Sequence, residues 1–164
     1  VPVLQLADGT VIDESLDVML WALEQNDPEH WLRRKDDALA LIEENDTGFK
    51  NALDRYKYPD RYTDQKDVNW RAEGEKFLQK LEQRIQENDG YLHASDPTLA
   101  DHAIFPFIRQ FRMPDPGWFD EQMPYPHLRT WVYGLTESAT FKAIMPKLQP
   151  WQNGQDPVYL LDSA

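Results

Sequence analysis

Cysteine is absent from the 164-residue chain, and this absence excludes several kinds of chemistry. Without a thiol, these residues form no disulfide, hold no cysteine-ligated zinc and offer no thiol nucleophile. No apolar run approaches the roughly 20 residues that a membrane-spanning helix needs. Basic residues are also scarce, since 17 Lys and Arg stand against 29 Asp and Glu, for a net charge of −12. An acidic chain is repelled by nucleic acid and by anionic membranes, so neither is an expected partner.

Metal sites and export signals are not indicated either. The four histidines, His30, His93, His102 and His127, show no metal-ligand spacing such as H-x-x-x-H. No metal is therefore expected. The first residues carry no basic region of the kind that begins a signal peptide, so the expected location is the cytoplasm.

The N-terminal residues have the pattern of a β-hairpin followed by a helix. Two short apolar segments, 3–6 and 10–13, flank the turn sequence Ala7-Asp8-Gly9, and Asp-Gly between such segments is a strong hairpin signal. A helix is predicted over residues 15–25, with Ser15 as its N-cap. Its apolar positions have helical spacing: Leu16, Met19, Leu20 and Leu23.

The rest of the chain has helical periodicity and no convincing third strand. Residues 26–30 are predicted to be a linker. Helices are predicted at 35–56, 67–88, 98–111, 125–138 and 141–145, followed by a proline-rich tail with Trp151 and Tyr159 as anchors. Because two strands alone are marginal in water, either the hairpin packs on the helices or it belongs to a larger sheet. The expected fold class is mainly α.

Residues Glu14 and Ser15 stand where the first helix begins. A helix N-terminus presents unpaired backbone N–H groups and the positive end of the dipole, which suit a carboxylate. The Ser15 hydroxyl adds a donor, and Glu14 suits an ammonium group, so together they match an α-amino acid zwitterion. The competing interpretation is an ordinary helix cap beside a solvated acid.

Residues Thr98 and Asp101 have the spacing of a capping box, although Glu or Gln is commoner at the last position. The helix that follows is apolar on most sides, which indicates that it is buried in the bundle. We therefore expect Asp101 to be a folding residue without a catalytic role, and its loss as a cap to cost about 1–2 kcal/mol.

These two motifs, in this order, resemble the glutathione S-transferase family over nearly the whole chain. Residues 1–15 look like the second half of its thioredoxin-like domain, and Tyr91-Leu92 with Pro97-Thr98-Leu99-Ala100-Asp101 looks like the capping-box signature of its helical domain. The resemblance implies a hairpin and helix from the C-terminal half of a thioredoxin-like α/β domain at 1–27, and an all-α bundle at 28–164.

The same resemblance implies a glutathione site at one end of the chain. Pro2 would be the family's cis-proline, which lets the Val1 backbone pair with the cysteinyl part of glutathione. Glu14 and Ser15 would hold the γ-glutamyl end.

A second-substrate pocket is implied at the break between the first two bundle helices. The resemblance places Tyr56, Tyr58 and Phe105 there, and Tyr62, Trp70 and Trp118 are near candidates. The alternative for these aromatic residues is a place in the core or on a dimer surface.

A complete family member begins with a βαβα segment of roughly 50 residues, which carries the Tyr, Ser or Cys that activates the glutathione sulfur. The catalytic residue is therefore expected upstream of Val1, and residues 1–164 alone are expected to be inactive. A Tyr or Ser there would favour conjugation, whereas a Cys would favour thiol–disulfide exchange.

The resemblance thus implies a glutathione transferase that uses glutathione as co-substrate. Its other partner would be a small electrophile or a disulfide, its role detoxification and its intact form a homodimer. Two alternatives remain: a non-catalytic scaffold with the same fold, and an unrelated helical binding protein whose hairpin packs on the bundle.

Overall fold

A computed structural model describes residues 2–62, 67–150 and 152–158 of the chain. In these ranges a two-stranded hairpin precedes seven α-helices. The strands are β1 (Leu4–Gln5) and β2 (Val11–Ile12). The helices are α1 (Ser15–Gln25), α2 (Lys35–Glu44), α3 (Lys50–Lys57), α4 (Trp70–Glu87), α5 (Leu99–Phe111), α6 (Pro126–Thr136) and α7 (Ala139–Ile144). The mainly-α fold predicted from the sequence is confirmed, whereas Val1 and the predicted anchors Trp151 and Tyr159 lie outside the described residues.

The hairpin forms where the Asp-Gly turn predicts it. β1 and β2 are antiparallel, with Leu4 opposite Ile12. Gly9 has a φ of +91°, a conformation that costs glycine little. The Asp8 carboxylate accepts the backbone N–H of Thr10 at 2.9 Å and so closes the turn.

Helix α1 has the predicted bounds, but its predicted N-cap is wrong. Glu14 is the N-cap, in extended conformation, and Ser15 is the first helical residue. In the part of the chain that the structure describes, no side chain caps this helix, so the N–H groups of its first turn lack a side-chain acceptor. The apolar face of α1 packs against the bundle core through its partly buried residues Leu16, Met19, Leu20 and Leu23.

The linker after α1 is held by internal hydrogen bonds and is joined to the bundle through Trp31. The Asp27 carboxylate accepts the N–H groups of Trp31 and Leu32, at 2.8 and 2.9 Å. The Trp31 carbonyl accepts the N–H of Leu99, the first residue of α5, at 2.9 Å. The Trp31 indole also stacks on His102, with 3.5 Å between ring centroids. The linker that follows α1 is thereby joined to the start of α5.

The bundle core lies between α2, α3, α4, α5 and α6, and α5 is its most buried helix, as its composition predicts. The predicted single helix over 35–56 contains a π-helical turn at Asn45–Phe49, between α2 and α3. Phe49 reaches the core there, with its ring 5.2 Å from that of Phe77 and 5.4 Å from that of Phe111. None of the helices in the described ranges is long and apolar enough to cross a membrane.

The carboxylate of Asp101 is fully buried and accepts four hydrogen bonds. Thr98 donates its N–H and its hydroxyl to Oδ2, both at 2.8 Å, within the predicted capping box. Oδ1 accepts the N–H of Leu92 at 3.0 Å and the indole N–H of Trp131 at 2.8 Å. An ionised carboxylate has about four lone-pair sites, so all are used. One side chain therefore joins α5, the loop before it and α6.

A second carboxylate connection, through a side chain that is 15% exposed, orders α6. Glu82 of α4 accepts the N–H of Leu128 at 2.7 Å and the Nδ1 of His127 at 2.8 Å. Both residues lie in the first turn of α6, which begins at Pro126. A carboxylate at a helix N-terminus satisfies its free N–H groups and faces the positive end of the dipole. The cap of α6 is thus supplied by another helix.

We predict that Asp101→Ala lowers the free energy of unfolding by about 3–5 kcal/mol, because buried donors lose their charged partner. This exceeds the cost of a lost cap, since the Leu92 and Trp131 donors are also orphaned. Urea denaturation measures the change. Asp36→Ala, an exposed acid in the first turn of α2, is the matched control and should stay within about 0.5 kcal/mol of the unmodified chain. An equal result for both variants would contradict the prediction.

We also predict that buried His93 makes the fold weaker in mild acid. Burial, reinforced by the positive charge of Arg84, lowers the pKa of His93, against the opposing influence of Asp101 and Asp37. Because the unfolded chain then binds more protons, stability is full above the unfolded pKa of about 6.5 and declines as the pH falls below it. Thermal unfolding between about pH 8 and pH 5 measures this decline. His93→Gln should reduce it, and an unchanged decline would refute the assignment.

Candidate functional site

The residues predicted to bind glutathione lie at the exposed N-terminal edge. Pro2, Glu14 and Ser15 are all exposed, and Val1 lies outside the described residues. The hairpin and the uncapped start of α1 meet here, so first-turn N–H groups and the Ser15 hydroxyl are accessible together. Asp17 in the same turn offsets part of the positive dipole end. This arrangement suits a zwitterion better than a multiply charged anion.

The residues Thr98 and Asp101 are structural in the described fold. The Asp101 carboxylate is saturated by donors and fully buried, so it has no free oxygen for a substrate or a metal ion. In the ranges that the structure describes, no three His, Asp or Glu side chains are grouped as metal ligands.

A cleft of 480 Å³ lies where α3 ends, α4 begins and the loop after α5 passes, and we call it the Tyr56 cleft. The Tyr56 ring packs on Phe111, with 4.8 Å between ring centroids. Its hydroxyl is buried and has no hydrogen-bond partner among the described residues. Burial raises the pKa of Tyr56, and nearby Asp115 adds to the effect. The hydroxyl therefore stays protonated and available as a donor. The cleft is lined by Arg55, Tyr56, Pro59, Val68, Asn69, Trp70, Arg71, Pro114 and Asp115.

The other two residues predicted for the second-substrate pocket do not line this cleft. Phe105 is 5% exposed and packs on Phe141, with 5.3 Å between ring centroids. It lies six residues before Phe111, which is about 9 Å along the axis of α5. Tyr58 lies under the guanidinium of Arg61, 4.2 Å from the ring centroid. The structure thus brings Tyr56 to a cleft and separates it from Phe105.

Two arginines that line the Tyr56 cleft, Arg55 and Arg71, were not predicted from the sequence. The Arg55 guanidinium lies against the rings of Tyr62 and Trp70, 4.6 and 4.9 Å from their centroids. It also donates to the side-chain oxygen of Asn51 at 2.6 Å. The sequence analysis named Trp70 only as a candidate for the aromatic pocket. Trp70 could also have indicated a stacked arginine, since Arg stacks readily on aromatic faces. These contacts hold a cation rigidly at the cleft wall.

The second arginine has acidic partners. Arg71 lies over Trp118, 4.6 Å from its ring centroid. Its guanidinium is 3.3 Å from a Glu75 oxygen and 3.7 Å from an Asp115 oxygen. Arg71 is therefore largely compensated in charge, unlike Arg55, which is in no ion pair among the described residues.

A larger cleft of 570 Å³ lies between the π-helical turn, α3 and α4. Phe49 and Phe77 form part of its wall, and Trp70 is shared with the Tyr56 cleft. Its lysines are already paired: Lys80 with Glu44 and Lys76 with Glu73. This cleft offers apolar surface without an unpaired charge.

The fold and the N-terminal edge define a helical bundle that follows a partial thioredoxin-like unit. The family model for the glutathione S-transferase C-terminal domain matches residues 29–132, which is more than half of the chain. The chain belongs to the glutathione S-transferase family. Among curated proteins, no sequence match to this chain was found.

Solved structures show the same fold at low sequence identity. A glutathione S-transferase I bound to lactoylglutathione is 24% identical with a TM-score of 0.69, over 87% of this chain and 72% of that one. A class Gtt2 glutathione S-transferase of Vibrio parahaemolyticus is 19% identical with a TM-score of 0.64, over 87% and 71%. A glutathione transferase homolog from sulfitobacter, with bound glutathione, is 16% identical with a TM-score of 0.59, over 88% and 80%.

A substitution at Gly74 in α4 tests the packing beneath the Tyr56 cleft. A Cβ at this position would overlap the ring of Phe111, the ring on which Tyr56 rests. We predict that Gly74→Ala lowers the free energy of unfolding by about 1–3 kcal/mol in urea denaturation, because Phe111 must shift. Gly134→Ala in α6 is the control, since its Cβ would meet nothing within 4 Å, and it should be neutral or stabilising by up to about 1 kcal/mol. Equal destabilisation of both would refute the packing argument.

Proposed function

We propose that this protein is a glutathione transferase, which binds glutathione and transfers or exchanges its thiol with a small electrophile or a disulfide. Membership of the family supports the proposal. So do two solved structures of the same fold, one bound to lactoylglutathione and one with bound glutathione. Residues 1–27 then act as the thioredoxin-like part and 28–164 as the helical domain of a cytoplasmic homodimer that serves detoxification.

The observation that carries the proposal is the uncapped, exposed start of α1 beside the hairpin. The γ-glutamyl carboxylate of glutathione accepts from the Ser15 hydroxyl and the first-turn N–H groups. The Glu14 carboxylate receives the γ-glutamyl ammonium. Pro2 lies just before β1 of the same hairpin. We propose that the backbone at Val1 and Pro2 pairs with the cysteinyl part.

The chemistry needs a group that holds the glutathione sulfur as thiolate, and this catalytic group is proposed to lie upstream of Val1. The described residues then bind glutathione and orient it toward the acceptor. Holding the tripeptide beside its acceptor turns a bimolecular step into a local one, which lowers the barrier. The Tyr56 cleft is the proposed place for the acceptor, and Tyr58 and Phe105 lie outside its lining.

We predict that Ser15→Ala weakens glutathione binding about tenfold, because one hydroxyl donor to a carboxylate is lost. Calorimetric titration of glutathione into the full-length protein measures the affinity. Thermal unfolding should be unchanged, since the Ser15 side chain caps nothing. Ser95→Ala, another exposed serine, is the matched control and should bind as the unmodified protein does.

Two results would decide against the proposal in different ways. If Ser15→Ala binds glutathione as well as the control, the assignment of Ser15 fails. If the unmodified full-length protein binds no glutathione at all, the transferase function fails, and a non-catalytic scaffold becomes the better explanation.

A further inference from the structure

We propose that the Tyr56 cleft binds a small aromatic molecule that carries one carboxylate group, with Arg55 as the residue that selects the charge. The inference deepens the proposed function, because it names the chemical class of the second ligand, and it rests on that function for the ligand's role. Binding itself is independent of glutathione. Three features of the Tyr56 cleft support the proposal: its hydrogen-bond donors, its charge and the residues that line it.

The first argument is the concentration of unused donors. Seven buried side-chain polar atoms lack a hydrogen-bond partner among the described residues, and three of them belong to residues that line this cleft: Arg55 Nε, Tyr56 Oη and Arg71 Nε. Arg71 Nε is near Glu75 at 3.3 Å but is not aligned for a hydrogen bond. Buried donors without acceptors are costly, so their grouping in one cleft points to an acceptor-rich ligand.

The second argument is the charge of the cleft. Arg71 faces Glu75 and Asp115, whereas Arg55 is stacked on aromatic rings and bonded to neutral Asn51. Among the described residues, Arg55 is the cation of this cleft without an ion-pair partner, which matches a monoanion such as a carboxylate. A phosphate dianion would meet the carboxylate of Asp115 in the same wall.

The third argument is the shape and lining of the cleft. Its volume of 480 Å³ lies in the ordinary range for small-molecule sites, which is about 300–1,000 Å³. Apolar and aromatic walls are provided by Trp70, Val68, Pro59 and Pro114. These surfaces suit a flat ring system. The larger neighbouring cleft lacks this combination, since its lysines are paired with Glu44 and Glu73.

Calorimetric titration of 1-naphthoate and its neutral isostere 1-naphthamide into the full-length protein tests the proposal. Naphthoate should bind at least about tenfold more tightly than the amide, since only the acid makes charge-assisted hydrogen bonds to the guanidinium. Arg55→Met keeps the apolar stem and removes the charge. It should weaken naphthoate binding about tenfold and leave amide binding unchanged. Tyr56→Phe removes one donor at constant shape and should cost about threefold.

The matched control is Arg61→Met, because Arg61 is also stacked on a tyrosine but does not line the cleft. It should bind naphthoate as the unmodified protein does. Arg55→Lys keeps the charge and should retain part of the affinity for naphthoate. It provides a second test in case Arg55→Met fails to fold. Equal binding of acid and amide, or equal effects of the Arg55 and Arg61 variants, would overturn the proposal.

Glutathione titration of the same samples separates this inference from the proposed function. If glutathione binds and naphthoate does not, the carboxylate site fails while the transferase function stands. If naphthoate binds and glutathione does not, the site stands and its role as an acceptor site fails.

Discussion

The buried carboxylate of Asp101 is the interaction on which the rest of the bundle depends. Its four donors come from the cap of α5, from Leu92 in the preceding loop and from Trp131 in α6. A charge in a fully buried position is tolerable only when every lone pair is satisfied. The relative positions of α5, the loop before it and α6 are therefore fixed together, because displacing any one of them leaves the carboxylate or a donor unpaired.

The candidate sites lie at the edges of this arrangement. Trp31 joins the linker after α1 to Leu99 and His102 at the start of α5, close to Asp101 in the same helix. The Tyr56 cleft lies beside Phe111, the last residue of α5. The Tyr56 cleft thus lies at one end of α5, and the linker that follows α1 is joined to the other end.

Much of the fold could be predicted from local sequence patterns. The Asp-Gly turn, the capping box and the helical periodicities predicted the hairpin, the bounds of α1 and the place of α5. The π-helical turn was missed because it depends on how Phe49 packs against Phe77 and Phe111, which spacing does not show. The Trp131 partner of Asp101 was missed for the same reason. At the cleft, Tyr56 was predicted, whereas the stacking of Arg55 follows from helices that meet only in the folded chain.

Hydrogen exchange of the Leu92 and Thr98 amides tests most directly whether Asp101 organises the fold. Both amides donate to the carboxylate, at 3.0 and 2.8 Å, although both lie in a loop rather than inside a helix. If the carboxylate joins these elements into one cooperative unit, both amides exchange only by global unfolding, with the same free energy of opening as the core of α5. If they exchange far faster than the α5 core, the loop opens on its own and the central claim is contradicted.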